Sequence, residues 1–436
     1  MVARAERVAL LCSEPLGDRV AGVGLRYLEI ARRLPPLGFD VLLVAPGDPA
    51  GLARRQTELG AGVAVVSFER GRLGELLAGC RAAVGQGQLV NDLLLECPKL
   101  PVAVDLYDPW LIENLHYLAT LGLDPWRNDH ATWVLQMSRG DFFLCSCEEQ
   151  RQFYLGFLLA LGRLNPHLHE RDPDLRTLID TAPFGAPDPD HVPPHRPWLP
   201  PREAGERRLL FGGLYDWYDP WPVLEALESA AEPSWRLLVV RNPFSGTPQG
   251  LLEEVESWRR RSPAGAQVEL HDWLPYERRL DLLRDVDVLV ATHRSSLETR
   301  LSLRTRFLDA LAMGCPVVTS EGGAISRLLR EHDAGWVVPE RDAASVLVAL
   351  RQVLGGGEEA RGRVARGVEA ARRLGWDASL APLVEFLRHP RREATKEDFV
   401  ASIATSSPDD PLVFRLRRRL SRLLGAARRG AEGARV

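Results

Sequence analysis

The segment best equipped for chemistry is residues 297–323, which read LETRLSLRTRFLDALAMGCPVVTSEGG. Arg300, Arg304 and Arg306 fall within seven residues there, close to Glu298 and just ahead of Asp309. Three guanidinium groups beside one carboxylate repel one another unless an anion neutralises them. A diphosphate has the charge and the oxygen geometry to do so, which leaves Asp309 to grip ribose hydroxyls. The competing reading is a solvated charged loop. Gly322 and Gly323 close the segment at a turn into a helix, whose N-terminal amides can stabilise a departing anion.

Three further loops carry candidate groups. VDLYDPWLIENLHYL (104–118) sets Asp105 and Asp108 after an apolar run. Carboxylates so placed can bind sugar hydroxyls or take a proton from an acceptor. Asp108 could equally cap the helix that Pro109 opens. SEPLGDRVAGVGLRYLEIA (13–31) brings Gly22 and Gly24 to a helix start, where bare amides can meet a phosphate or an acceptor. It lacks the third glycine of a dinucleotide loop, so a plain turn is the alternative. FGGLYDWYDPWPVLEA (211–226) places Gly213 at a strand end, with Trp217 and Tyr218 to stack a sugar or simply pack, and Asp219 as an N-cap. Arg241 closes another apolar run.

We expect no metal and no cofactor. Of the two Asp-x-Asp pairs, Asp285/Asp287 precede their strand and Asp188/Asp190 lie in a proline-rich stretch. Cys145 and Cys147 lack the second pair or histidines of a zinc site, and most of the six cysteines read as small buried apolar residues.

These loops need a scaffold that gathers strand ends. The runs VALLCSE (8–14), FDVLLVA (39–45), GVAVVSF (62–68), PVAVDL (101–106), DFFLCS (141–146) and DTAPFG (180–185) are mostly separated by helical patterns. Continuous apolar runs predict strands covered on both faces, and intervening helices predict a parallel sheet. A second series follows: RRLLFGG (207–213), WRLLVVRN (235–242), QVELHDWL (267–274), VDVLVATH (286–293), CPVVTS (315–320) and GWVVP (335–339). Between the two, residues 186–205 hold seven prolines and cannot form a ladder. The expected organisation is a domain over 1–187, a linker over 188–206 and a second domain over 207–376. A crossover helix (377–390), a polar linker (391–411) and a basic amphipathic tail (412–436) follow. Ligands of such open sheets bind beyond the carboxyl ends of the strands, here in the cleft between two sheets.

A chain of 436 residues is too long for one core, and 26% charged residues beside 45% hydrophobic ones is an ordinary soluble composition. The net charge of −4 conceals a tail with eight arginines and one glutamate over 412–436. That segment carries +7 and leaves −11 for the rest, which argues against a nucleic-acid partner. Leu412, Leu416, Leu420, Leu423 and Leu424 recur every three or four residues with arginines on the other faces. Such a helix can lie on an anionic membrane surface or pack on its own protein. No apolar run approaches the ~18 residues of a spanning helix. The expected location is cytoplasmic, with the tail a peripheral contact on the inner face of the cell membrane.

FLDALAMGCPVVTSEGG resembles the signature of retaining GT-B glycosyltransferases, in particular glycosyltransferase family four. The glycine loop with its helix and LPPLGFDVLLVAP are similar to the matching N-terminal segment, and the resemblance spans residues 7–388. LYDPWLIENL, LGRLNP, YDWYDP and LETRLSLRTRFLD resemble a bacterial subgroup tied to cell-envelope or exopolysaccharide synthesis. The resemblance implies an α/β GT-B fold, two Rossmann-like parallel-sheet domains facing across a cleft. It also implies transfer of a sugar, with retention, from a nucleotide-diphosphate sugar to a glycan or lipid-linked acceptor. Asp309 takes the place of the family's ribose-binding glutamate. Its first glutamate falls on Leu301, so Glu298 must reach the donor sugar from three residues earlier. Asp105 or Asp108 lies nearest the family's catalytic histidine. The diphosphate-clamping Arg and Lys are replaced by Gly213 and its loop, leaving Arg241, Arg300, Arg304 or Arg306 as substitutes. These departures support a second reading, a non-catalytic nucleotide-sugar-binding or scaffold subunit; an epimerase on the same fold fits the basic tail less well.

Overall fold

The computed structural model describes residues 6–17, 20, 22–118, 122–215, 217–241, 250–272 and 274–405. The basic tail expected at 412–436 lies outside them. Among the described residues the chain forms two parallel open sheets. The first contains β1 (Glu6–Leu11), β2 (Phe39–Ala45), β3 (Val63–Ser67), β4 (Ala82–Gly85), β5 (Val102–Asp105), β6 (Phe142–Cys145) and β7 (Ile179–Thr181). Their spatial order is β3-β2-β1-β4-β5-β6-β7. The second contains β8 (Arg207–Phe211), β9 (Trp235–Val240), β10 (Val268–His271), β11 (Val288–Ala291), β12 (Val317–Ser320) and β13 (Trp336–Val338). Its order is β10-β9-β8-β11-β12-β13.

Central strands are buried on both faces, and the side chains show it. Val8 and Leu10 of β1 enter the core beneath the helix Gly22–Arg33, while Ala9 and Leu11 enter the core on the opposite face. Burying one such aliphatic side chain stabilises the fold by about 1.5–3 kcal/mol, so both faces of a central strand must be apolar. That produces the unbroken runs seen in the sequence. β4 escapes this signal. Its four residues AAVG include no bulky side chain except Val84, yet it lies between β1 and β5. A Cβ on Gly85 would stand 2.6 Å from Val90 Cγ2, so this strand is defined by what packs over it.

The chain finally returns to the first domain. The helix Trp376–Arg388 inserts Trp376, Leu380, Leu383 and Phe386 into the core that holds Val8 and Tyr27. The ring of Trp376 lies 4.8 Å from that of Phe184, and the Arg33 guanidinium stands 4.9 Å above it. The polar linker expected over 391–411 is in part a helix, Thr395–Thr405. It is held by polar contacts rather than an apolar stripe: Lys396 pairs with Asp141 at 2.5 Å, and Asn165 donates to Thr395 Oγ1 at 2.8 Å. No described helix is long and apolar enough to cross a membrane.

Candidate active site

The short helix Leu297–Leu301 joins the two domains. Ser296 caps it, its hydroxyl accepting from the Thr299 amide at 3.0 Å. Leu301 is buried in the core of the first domain, where its carbonyl accepts from Cys147 Sγ at 3.5 Å. On the other side the helix presses on the turn before the helix Ala324–His332. A Cβ on Gly323 would stand 2.8 Å from the Thr299 carbonyl, and Gly322 adopts φ +103°. This explains the unusual spacing: Leu301 is an interdomain anchor, and Glu298, one turn earlier, faces the cleft.

Glu298 enters a cavity of about 240 Å³ shared by both domains. It is buried, accepting from Arg304 Nη2 at 2.7 Å and from Ser302 Oγ at 2.8 Å. Arg304 in turn stands 4.7 Å above the Tyr218 ring. Tyr215 and Trp217 stack at 4.9 Å and 4° on the same wall. Behind them His293 is buried, 4.9 Å from Tyr218, and burial, then Arg304 and Arg306, holds its imidazole neutral.

The first domain contributes Asp108 and Glu113 to this cavity. Asp108 does not cap the helix Trp110–Glu113; Pro109 stands at the cap position, without a side-chain bond. Its carboxyl instead neighbours that of Glu113, within reach of a hydrogen bond when one of the two is protonated. Burial raises Asp108 to about 6; the bond to Glu113 opposes the shift, while the Glu14, Glu298 and Asp105 carboxylates reinforce it. Burial, then the Asp108 and Glu298 charges, also raises Glu113 well above the ordinary carboxylate range.

A second cavity, about 250 Å³, adjoins the first and is largely apolar, with Leu25, Leu210, Val240 and Leu283 in its walls. Asp309 and Arg279 form an ion pair at 2.9 Å on its side, and Arg279 lies 3.6 Å over the ring of Tyr276. Arg306 lines both cavities. It donates to the Gly212 carbonyl, lies 5.5 Å over Tyr218, and has no carboxylate partner among the described residues. Gly213 has φ +117°, and a Cβ there would come within 3.2 Å of Arg306 Nη1. The glycines at the end of β8 thus leave room for a guanidinium supplied by the helix Thr305–Ala312.

Several expected residues lie elsewhere. Asp105 is fully buried and held by Arg26 through two bonds, Nε–Oδ2 at 2.7 Å and Nη2–Oδ1 at 3.1 Å. It braces the cleft from below and cannot meet a substrate there. Gly22 and Gly24 do begin a helix, and Gly22 lines the apolar cavity, but the Gly24 amide is bonded to the Glu14 carboxylate at 2.8 Å. An anion at that amide would face Glu14, so the phosphate role falls away for Gly24. Arg241 lines neither cavity and stands 3.5 Å from Asp272, and Arg300 is exposed outside both cavities. Gly322 and Gly323 shape the bridging turn and line neither cavity. Asp219 is not the expected N-cap; its backbone exchanges bonds with Thr292, and Pro220 caps the next helix. Arg26, Arg279 and the pairing role of Glu113 were not anticipated. Arg26 was detectable as a lone charge on the helix stripe of Val23, Tyr27 and Ile30. A larger cavity, about 390 Å³, lies against the helix Thr395–Thr405, where Lys396 and Asp141 are already paired.

Residues 209–355 match the family model described as glycosyl transferases group 1. The phosphatidyl-myo-inositol mannosyltransferase of Mycobacterium leprae is 39% identical over 183 residues, 40% of this chain and 46% of that protein. Its counterpart from Mycolicibacterium smegmatis is 32% identical over 190 residues, 42% of this chain and 45% of that protein. The matches therefore span a little under half the length of these relatives. Among solved structures, Anabaena HepE in complex with UDP-glucose superimposes with a TM-score of 0.64 at 12% identity, covering 88% of this chain and 99% of that one. WaaG, a glycosyltransferase involved in lipopolysaccharide biosynthesis, gives 0.55 at 14% identity, covering 87% and 99%. The chain thus has the GT-B fold, and its second domain, over residues 209–355, is a glycosyl transferases group 1 domain.

Proposed function

We propose that this protein transfers a sugar from a nucleotide-diphosphate sugar to a glycan or lipid-linked acceptor, with retention, in bacterial envelope or exopolysaccharide synthesis. The observation that carries the proposal is Arg306, a guanidinium without a carboxylate partner among the described residues, where the two cavities meet. A diphosphate there has its nucleoside in the apolar cavity beside Asp309 and its sugar beside Glu298, Asp108 and Trp217. As the sugar–phosphate bond breaks, negative charge grows on the diphosphate, and Arg306 opposes it from a preorganised position. This scheme uses no metal and no cofactor. The relatives add support: one neighbour holds UDP-glucose, and two sequence relatives are mannosyltransferases.

One observation favours the non-catalytic reading, namely that Asp309 already has a cationic partner in Arg279. Thermal stabilisation by UDP and GDP, followed by nucleotide release on adding acceptor, separates the possibilities. Sugar transfer predicts both responses; a scaffold that merely binds the nucleotide sugar gives the first alone, and a shift with neither nucleotide rules out the donor site. We further propose that the chain is cytoplasmic and that residues 412–436 hold it on the anionic inner membrane surface. Deleting them should lower binding to anionic liposomes and leave nucleotide binding intact; unchanged liposome binding would refute this role.

A further inference from the structure

The cavity that holds Glu298 contains more carboxyl groups than its cations neutralise. Asp108, Glu113 and Glu298 all line it against two cations, Arg304, which is bonded to Glu298, and Arg306. Asp108 and Glu113 are neighbours in this cavity, and two neighbouring carboxyl groups can share a hydrogen bond when one of them carries a proton. The same cavity offers a second feature suited to a polar ligand. Trp217 is 7% exposed, lines the cavity, and its indole N–H has no partner among the described residues. An indole with its donor unsatisfied next to a stacked tyrosine is suited to a sugar, which has both an apolar ring face and hydroxyls.

We propose that Asp108 and Glu113 share one proton and act together as a hydroxyl-recognition pair, offering one O–H donor and one carboxylate acceptor to a sugar in this cavity. The proposal rests on the sugar-transfer reading above. A sugar hydroxyl donates one hydrogen bond and accepts another, so a half-protonated pair complements it, whereas two carboxylates can only accept.

The surroundings favour retention of the shared proton. Asp108 faces Glu113, Glu14, Glu298 and Asp105, of which Asp105 is neutralised by Arg26. Glu113 faces Asp108, Glu298 and Arg304, and Arg304 is engaged by Glu298. The neighbouring phenols, Tyr107, Tyr154 and Tyr215, are held protonated by burial. Arg304 and Arg306 balance Glu298 and one ionised member of the pair, so ionising the second member would leave a buried negative charge without a cation. The hydroxyl could belong to the transferred sugar or to the acceptor.

The test compares wild type with Glu113→Gln and Glu113→Ala from pH 5 to 9. Calorimetry gives the affinity gained by UDP-glucose over UDP and by GDP-mannose over GDP; steady-state assays give the acceptor KM. Glu113→Ala should lose about tenfold in one of these quantities, the worth of a neutral hydrogen bond. In wild type the same quantity should fall as pH rises and the shared proton leaves; Glu113→Gln keeps a donor that cannot titrate, so it should lose less and show no such fall. A loss in the sugar increment assigns the hydroxyl to the donor sugar, and a loss confined to acceptor KM assigns it to the acceptor. Equal losses in both variants, or no loss in either, would overturn the pair's role. Carbon-13 NMR of the ligand-free protein should show one protonated carboxyl at pH 7 that Glu113→Gln removes; two ionised carboxyls would overturn the proposal directly. If wild type binds neither nucleoside diphosphate, the sugar-transfer reading fails and hydroxyl recognition with it, while the NMR titration still reports on the shared proton.

Discussion

Arg279 and Asp309 meet in a two-pronged ion pair, Nε to Oδ2 at 2.9 Å and Nη2 to Oδ1 at 3.4 Å, on the wall of the apolar cavity. Tyr276 supports the guanidinium from beneath at 3.6 Å and packs against the core of the first domain. A carboxylate offers about four acceptor positions, so Arg279 occupies part of Asp309 and orients the remainder. Arg279→Ala should therefore weaken UDP or GDP binding by about tenfold, as expected for a lost positioning contact. Isothermal titration checks this, and tighter binding in the variant would show that Arg279 competes with the ligand.

Arg306 should behave differently, because among the described residues its loss strands no buried carboxylate. Arg306→Ala is expected to lower nucleoside diphosphate affinity by about 10- to 100-fold, the worth of a charge-assisted contact, and to leave thermal stability nearly unchanged. Arg306→Lys should recover only part of the affinity, since an ammonium cannot reproduce the planar two-pronged contact. Binding of the bare nucleoside should be the same in all three proteins. An equal loss for nucleoside and diphosphate would place Arg306 away from the phosphates.

The two-sheet architecture was legible because burial on both faces leaves continuous apolar runs, as in β1 and β2. The motif around Asp309 was legible because its spacing is local. What remained hidden depends on contacts distant in sequence. β4 is a strand only because β1 and β5 flank it. Leu301 disrupts the expected glutamate spacing because it anchors in the other domain, 154 positions from Cys147. Asp105 reads as a strand-end carboxylate in any one-dimensional view; Arg26, 79 positions away, closes it off. The helix Thr395–Thr405 owes its place to Asp141 and Asn165 of the first domain rather than to a hydrophobic period.

Asp108 should leave a signature in the pH dependence of stability. Its carboxyl is raised to about 6 in the folded protein by burial, so the native state binds its proton more tightly than the unfolded chain does. As pH rises from the ordinary aspartate value of about 3.9 toward 6, the unfolded chain releases that proton first, and stability must fall. Asp108→Asn removes the titration. Urea midpoints between pH 4 and 7 should therefore show wild type losing stability relative to Asp108→Asn across this window. A difference that stays constant with pH would mean that the carboxyl is not raised.

Arg26 and Asp105 provide the sharpest contrast between support and catalysis. Both side chains are fully buried, and the Arg26 guanidinium also donates to the carbonyls of Pro183 at 2.9 Å and Ala182 at 2.8 Å. The pair thus ties the helix Gly22–Arg33 to the ends of β5 and β7. Removing Asp105 leaves a cation in the interior with carbonyl partners and the Tyr107 ring at 4.7 Å, but no carboxylate among the described residues. Breaking such a pair costs about 3–5 kcal/mol, while replacing both members by apolar side chains of similar volume is often close to neutral. Asp105→Ala should therefore lower the unfolding free energy by about that amount, and Asp105→Leu combined with Arg26→Met should recover much of it. Nucleotide binding by the folded fraction should persist in both proteins, because Asp105 lines neither cavity. If Asp105 were instead the group that takes the acceptor proton, Asp105→Ala would remain as stable as wild type and lose only turnover. Urea unfolding run beside a transfer assay distinguishes the two outcomes.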